Sequence, residues 1–381
     1  MRPSWQLLPL YLASMFTHVG FGILFPVIPS YADDMGASVA LGGLAVGIFS
    51  YIAALTLIPF GALSDKVGGR RVLIAGLLLF ILVPLLYPLV SNVAQLILVR
   101  ALHGIMCAAI IPTSSALIVS IAPTHKRGAA LGWLSSYSLG GMTLGPILGG
   151  LLMSHYGFDA AFFACSAVPL VGLILLLVKQ PVLQEKTSED NPVTMSDWDW
   201  LRNRHAIAAL LAPFFMTVGS GTIGAHMTLY VGGLGVSVGG AGGVITAMYA
   251  VSVMVRPPFG TLSDKVGRKP IIVVGFLICV LAMVFIATFS SFPAIIIAAM
   301  LYGAGMGMVM TSSFAMLADA SPSTVIGRSM GAANSTLQVG MATGATVMGL
   351  IVGVSGYESM FEVAAIILGA GLVLVFALMR K

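Results

Sequence analysis

Apolar runs of about twenty residues or more, separated by short polar breaks, recur along the whole chain and limit it more than any other feature. A helix needs ~20 apolar residues to cross a bilayer. Divided at the breaks, the sequence gives twelve such runs: 6–32, 41–63, 72–90, 93–120, 129–152, 159–178, 205–231, 241–260, 271–290, 293–318, 329–353 and 360–379. Only 8% of the 381 residues are charged, and the mean hydropathy is +1.03. A soluble domain carries about 25% charged residues. A chain with so few cannot cover a water-facing surface of its size, so a soluble enzyme and a nucleic-acid-binding protein are both excluded. The expected fold class is an all-α polytopic membrane protein with twelve transmembrane helices. Cys107, Cys165 and Cys279 lie inside apolar runs at unrelated spacings and suggest neither a disulfide framework nor a metal site.

The basic residues orient these runs. Of the 18 Lys and Arg, all but Arg100 and Arg256 fall at the termini or in the even-numbered connectors, and the odd-numbered connectors hold none. Cytoplasmic loops carry the excess of Lys and Arg. The expectation is a multi-pass protein of the cell (inner or cytoplasmic) membrane with both termini cytoplasmic. The first run is too long for a signal peptide and has no small-residue cleavage site.

One polar connector, 179–204, is longer than the others. It divides the chain into an N-terminal six-helix bundle (1–178), a cytoplasmic linker (179–204) and a C-terminal six-helix bundle (205–381). The halves repeat. Pro59 to Gly68 (PFGALSDKVG) matches Pro258 to Gly267 (PFGTLSDKVG) at nine of ten positions. Both segments run on into cations: Arg70 and Arg71 in the first copy, Arg268 and Lys269 in the second. Such a repeat is how many secondary transporters are built, with the solute path near the midplane. In each loop a glycine permits left-handed backbone, and a carboxylate among cations can meet a helix N-terminus. A contact made in one state and broken in another would bias a two-state equilibrium. The plainer reading is a solvated turn that helps set topology.

The paired loops resemble the signature of the major facilitator superfamily, Gly-x-Leu-Ala-Asp-Arg/Lys-x-Gly-Arg-Arg/Lys. Gly61, Leu63, Asp65, Lys66, Gly68, Arg70 and Arg71 fit it, with Ser64 and Gly69 as departures, and Gly260 to Lys269 fits more fully. The resemblance implies the major facilitator fold: two pseudo-symmetric six-helix bundles. It also implies a conformational latch formed by Asp65, Lys66, Arg70, Arg71, Asp264, Lys265, Arg268, Asp319 and Arg328. By the same analogy Asp65 would face the start of span 11, and Asp264 the start of span 5.

Three motifs narrow the resemblance. Gly132, Gly141, Gly145, Pro146, Gly149 and Gly150 in span 5 form Gly-x8-Gly-x3-Gly-Pro-x2-Gly-Gly. Glycines four apart let helices approach closely, and a proline bends a helix. The same pattern resembles the element of drug:proton antiporters. Gly20, Pro26 and Pro29 in span 1 resemble the Gly-x5-Pro-Val-x-Pro element of the twelve-span members. Leu96, Arg100, His103 and Gly104 resemble Leu-x3-Arg-x2-Gln-Gly, whose Arg is implicated in proton movement, with His103 in place of Gln. An arginine at membrane depth is costly unless it faces a polar cavity or a partner. Arg100 reads either as a functional group or as scaffolding. His103 reads either as a titratable site or as a hydrogen-bonding substitute for Gln.

The proton-coupling candidates are therefore Asp34, Arg100 and His103. Asp34 has the alternative reading of a solvated helix end. Arg256, just before Pro257 and Pro258, is placed near the cytoplasmic end of span 8, close enough to snorkel. His18, Tyr137, His226, Tyr249, Phe215 and Met306 are candidates to line the solute cavity, or else they fill packing positions. The combined expectation is a secondary active transporter, not an enzyme: proton-coupled efflux of lipophilic or amphipathic small molecules by alternating access. It would use no cofactor beyond the proton gradient. Its partners would be solute, protons and lipid, with a monomer as the family default. An exporter or flippase of one metabolite or lipid, a proton symporter, and a non-transporting receptor are the alternatives.

Overall fold

The computed structural model describes residues 6–123, 127–178, 200–321 and 326–380, without the side chains of Ile58, Asp65, 127–129 and 326–328. The fold is helical: α1 (Leu8–Asp34), α2 (Val39–Val67), α3 (Gly69–Leu82), α4 (Val93–Ile121), α5 (Arg127–Tyr156), α6 (Phe158–Val178), α7 (Arg204–Gly232), α8 (Val238–Val266), α9 (Arg268–Thr288), α10 (Phe292–Ala320) and α11 (Ile326–Leu378). At Gly356 the backbone of α11 turns to φ 82° and ψ 177°, a conformation open to glycine and few other residues. Hence α11 is two helices joined at a bend, the eleventh and twelfth of the expected spans.

Ten stretches are long and apolar enough to cross a membrane, and Ser329–Leu378, with 50 residues, has the length for two crossings. Helix α5 is not among the ten. Its glycines, serines and threonines dilute its hydropathy, and its place in the bundle comes from close packing instead. The third span does not stay α-helical to its end. Pro84 and Pro88 remove two amide donors, and Val83–Leu89 tightens into a 3₁₀ stretch. Asn92 then caps α4, its side chain accepting from Gln95 N–H at 3.0 Å.

The chain forms two compact units. The first comprises Met1–Ala37, Ile48–Ser188 and Val236–Thr246; the second comprises Ser38–Gly47, Glu189–Gly235 and Ala247–Lys381. The start of α2 thus belongs with the later helices and the start of α8 with the earlier ones. Within the first unit α1 packs on α5, α6 and α4, and α3 packs on α4 and α6. The Cys165 thiol donates to the Gly20 carbonyl at 3.1 Å, tying α6 to α1. Tyr11, Phe49, Phe80 and Phe162 are among its largest fully buried side chains. Within the second unit α7 packs on α11 and α10, and α9 packs on both of those helices. There the Tyr302 hydroxyl donates to the Met216 carbonyl at 2.5 Å. Apart from α1 and α7, which expose no large apolar side chain, each helix carries buried residues on one side and exposed Leu, Val, Ile or Phe on another. That pattern suits an element with protein on one face and lipid on the other.

Candidate functional site

Gly141, Gly145 and Gly149 lie on the side of α5 that meets α1. A methyl group at Gly145 would stand 2.5 Å from Gly22 Cα and 2.6 Å from the Val19 carbonyl, and one at Gly149 would run into the Ile23 carbonyl. Only glycine lets these backbones touch. Gly150 faces elsewhere, against Val238 and Gly239 at the start of α8, while Gly132 borders open space. Beside Pro146 the Thr246 hydroxyl inserts at one rung of the α5 ladder. It donates to the Thr143 carbonyl at 2.9 Å and accepts from Ile147 N–H at 3.1 Å. An inserted side chain is a recognised cause of a helix bend. Thr246 thus holds the end of the α8 segment in the first unit to the kinked point of α5.

Arg100 and His103 are buried together, 3% and 0% exposed. The sequence placed them on one face of α4, and the structure adds a third member. The Tyr87 hydroxyl, from the 3₁₀ stretch, lies 3.1 Å from His103 Nδ1 and also hydrogen-bonds Arg100. The Arg100 guanidinium sits 4.7 Å over the Phe49 ring, a cation–π placement. Phe80 and Phe49 meet the His103 ring edge-on at 4.4 and 5.6 Å. His103 Nε2 is buried without a hydrogen-bond partner. Asp34 is different: it is exposed at the last turn of α1. One turn earlier, the Tyr31 hydroxyl donates to the Tyr87 carbonyl at 2.8 Å, anchoring the 3₁₀ stretch to α1.

In the repeated loops Gly68 and Gly267 adopt φ 94° and 91°, the left-handed backbone expected of them. Arg268 joins both nearby carboxylates. It pairs with Asp264 four residues earlier and with Asp319 on α10, Nε to Oδ2 3.3 Å, and donates to the Ser263 hydroxyl at 2.8 Å. Lys265 and Lys66 are exposed, as is Arg71, and Arg70 is half-buried. Lys269 reaches the Met379 carbonyl at 3.5 Å and lies 4.5 Å over Phe376. The Asp65 and Arg328 side chains lie outside the described residues, as do the side chains at the start of α5.

The cavity candidates divide between the units. In the first, His18 bonds the Ser14 carbonyl at 2.8 Å, Ser14 and Ser138 share a hydrogen bond of 2.7 Å, and Tyr137 stacks on Tyr11 at 5.4 Å. These groups form one polar, aromatic patch between α1 and α5. In the second unit His226 Nε2 bonds the Ala345 carbonyl at 2.9 Å. His18 lies near the middle of its helix and His226 in the last third, so the two differ in depth. Tyr249 hydrogen-bonds Ser220 of α7. Phe215 packs on Gly371 in the second limb of α11, and Met306 is buried in α10. Arg256 lies inside α8 rather than at its end. Helix α8 continues to Val266, which puts Arg256 ~15 Å from that end at 1.5 Å per residue, and its Nε is buried with no hydrogen-bond partner.

Reading the sequence alone missed Tyr87, Thr246 and the Arg268–Asp319 pair. Tyr87 sits between Pro84 and Pro88, and such a break in a span could have drawn attention to it. A single threonine carries no comparable signal.

The geometry of both units is matched by known proteins. The family model described as Major Facilitator Superfamily matches residues 10–242 and again residues 209–381. An MFS-type transporter of Methanocaldococcus jannaschii is 25% identical over 362 residues, covering 94% of each chain. The Salmonella typhi multidrug resistance protein MdtG is 28% identical over 375 residues, 93% of this chain and 90% of that one. A bacterial homologue of the human lysosomal transporter Spinster superposes with a TM-score of 0.81 at 15% identity, covering 98% of this chain and 96% of its own. The nucleoside transporter NupG superposes with a TM-score of 0.80 at 12% identity, over 98% of this chain and all of that one. This chain belongs to the Major Facilitator Superfamily and is a multi-pass membrane transporter rather than an enzyme.

Proposed function

We propose that this transporter is a proton-coupled exporter, an antiporter that moves lipophilic or amphipathic small molecules outward by alternating access. The carrying observation is the complete glycine–proline pattern of α5, with its glycines at backbone contact with α1 and a hydroxyl from α8 inserted beside Pro146. Contacts this short are made or lost as a unit, which suits an element with two discrete arrangements. The multidrug resistance relative supports the choice of solute class.

Tyr87, Arg100 and His103 are the coupling group in this reading. A proton on His103 would lie one helical turn from the Arg100 guanidinium, among aromatic rings that screen little charge. Its occupancy therefore depends on any motion that changes the spacing of α4 and the 3₁₀ stretch. Asp34 is exposed at the end of α1 and is not part of this group. The protein works as a monomer with both termini cytoplasmic, and the proton gradient is its energy source. Arg268, Asp264 and Asp319 brace the cytoplasmic ends of α8, α9 and α10 as part of the latch.

The test is purified protein in sealed liposomes, made acid inside, with a panel of lipophilic cations, neutral drugs and organic anions outside. Accumulation of a panel member that a protonophore abolishes is expected. Accumulation that survives the protonophore, or proton-driven movement with the same sense as the proton, would overturn antiport.

A further inference from the structure

Among the described residues Arg256 is the charged group farthest from a helix end, ten residues from Val266 and eighteen from Val238. At 1.5 Å per residue the nearer end is ~15 Å away and the whole 29-residue helix is ~43 Å long, so with a ~30 Å hydrocarbon core centred on it Arg256 lies ~8 Å inside the core. Its Nε is buried, so the side chain is turned into the protein at that depth rather than out to the surface. A cation held there calls for an anion or a polar cavity.

Among the described residues no carboxylate stands at that level. All of the chain's carboxylates stand in the termini and connectors or within two turns of a helix end. The acid at the end of α8 itself is Asp264, and Asp264 and the neighbouring Asp319 are both held by Arg268. Two neutral polar side chains share its side of the helix. Tyr249 and Ser252 precede it by seven and four residues, which sets all three on one face of α8. Tyr249 is its electrostatic neighbour and hydrogen-bonds Ser220 of α7. The Arg256 Nε and the Ser252 hydroxyl are both buried without hydrogen-bond partners. A guanidinium is a fork of donors whose natural complement is a carboxylate, sulfonate or phosphate. Phenol and hydroxyl donors at one and two turns extend the same surface.

We infer that Arg256, with Ser252 and Tyr249, is a binding site for the acidic group of the transported molecule, so that the preferred solute is an amphipathic organic anion rather than a lipophilic cation. This rests on the export reading for its biological use, but the site itself is a claim about binding. A cation would meet like charge at Arg256, with no carboxylate at that depth to offset it.

The experiment uses two probes with one apolar body and opposite charge, pyrenebutyrate and pyrenebutyl-trimethylammonium. Binding is measured by fluorescence on protein in a non-ionic detergent, and movement is measured in phosphatidylcholine liposomes. The wild type should bind pyrenebutyrate at least tenfold more tightly than the cation. Arg256→Gln should lose at least tenfold of that preference, and Arg256→Lys, which keeps the charge, should retain most of it. Arg256→Lys and the size-exclusion profile of each variant separate loss of the site from loss of fold. Equal or better binding of the cation by the wild type, or an unchanged preference in Arg256→Gln, overturns the inference. Arg256-dependent binding with no movement of either probe keeps the site and removes export. Proton-driven movement without charge preference removes the site and keeps export. Competition by phosphatidylglycerol that disappears in Arg256→Gln would assign the acidic group to a lipid head; its absence would assign a free organic anion.

Discussion

Thr246→Val removes one oxygen and little else, and the structure gives that oxygen two bonds. The hydroxyl donates to the Thr143 carbonyl and accepts from Ile147 N–H. Valine keeps the branched shape and does neither. Side-chain hydrogen bonds between membrane helices average ~0.6 kcal/mol each, with a ceiling near 1.7. The pair is therefore worth about 1–3 kcal/mol, or a roughly 5–150-fold change in an equilibrium. That energy is lost specifically from the attachment of the α8 start to α5. Ala241, just over one turn earlier on the same segment, is 0% exposed. With Cys107, Cys165 and Cys279 replaced by alanine, a cysteine at Ala241 reports that attachment through its rate of labelling by a membrane-impermeant maleimide. Thr246→Val should raise the rate at least 5-fold, and Thr246→Ser, which keeps the hydroxyl, should leave it within 2-fold of the wild type. An unchanged rate in Thr246→Val would refute the assignment of Thr246 as the link between these helices.

Tyr87→Phe keeps the ring stacked on Phe162 at 4.9 Å and removes the hydroxyl shared by Arg100 and His103. It should cost about 1.5–3 kcal/mol of stability, as for one buried hydrogen bond with a charged partner, and lower solute-driven proton flux at least tenfold, measured with a lumenal pH dye. Asp34→Asn, at an exposed helix end, should leave that flux unchanged in the same assay. Gly149→Ala would press a methyl group into the Ile23 backbone and should destabilise by about 1–3 kcal/mol, read as a lowered Tm in detergent; Gly132→Ala, beside open space, should not. Asp319→Asn breaks an ion pair whose acid is 64% exposed, worth less than ~1 kcal/mol at a surface, so transport rate should change while Tm stays nearly constant.

Much of the architecture was legible because the bilayer leaves so few solutions. Length and apolarity fixed the spans, lysine and arginine placement fixed the expected orientation, and one nine-in-ten repeat exposed the pairing of the halves. Departures arise where local chemistry overrides the pattern. Pro84 and Pro88 turned the end of span 3 into a 3₁₀ stretch, and Gly356 bent two spans that otherwise run on as one helix. The site was legible only along single helices. Arg100 and His103 share a face of α4 by spacing, but Tyr87 joins them across space from another element, and spacing says nothing of that. Around Arg256 the spacing gave the span but not the surroundings: α8 runs on past Pro257 and Pro258 to Val266, and the Arg256 Nε is buried. The second-copy loop showed the same limit: Asp264, Arg268 and Asp319 were all legible as latch candidates, but that Arg268 is the cation Asp319 meets needed the fold.

The claim at the centre of this account is that solute and proton move in opposite directions through one carrier. Its most direct test runs the coupling backwards. Protein is sealed in liposomes with equal pH on both sides and an internal pH dye, and a gradient of a transported panel member is imposed inward. Because coupling is reciprocal, solute entry should drive protons out and make the lumen alkaline. A lumen that acidifies as solute enters, or that holds its pH during measured solute movement, would contradict proton antiport.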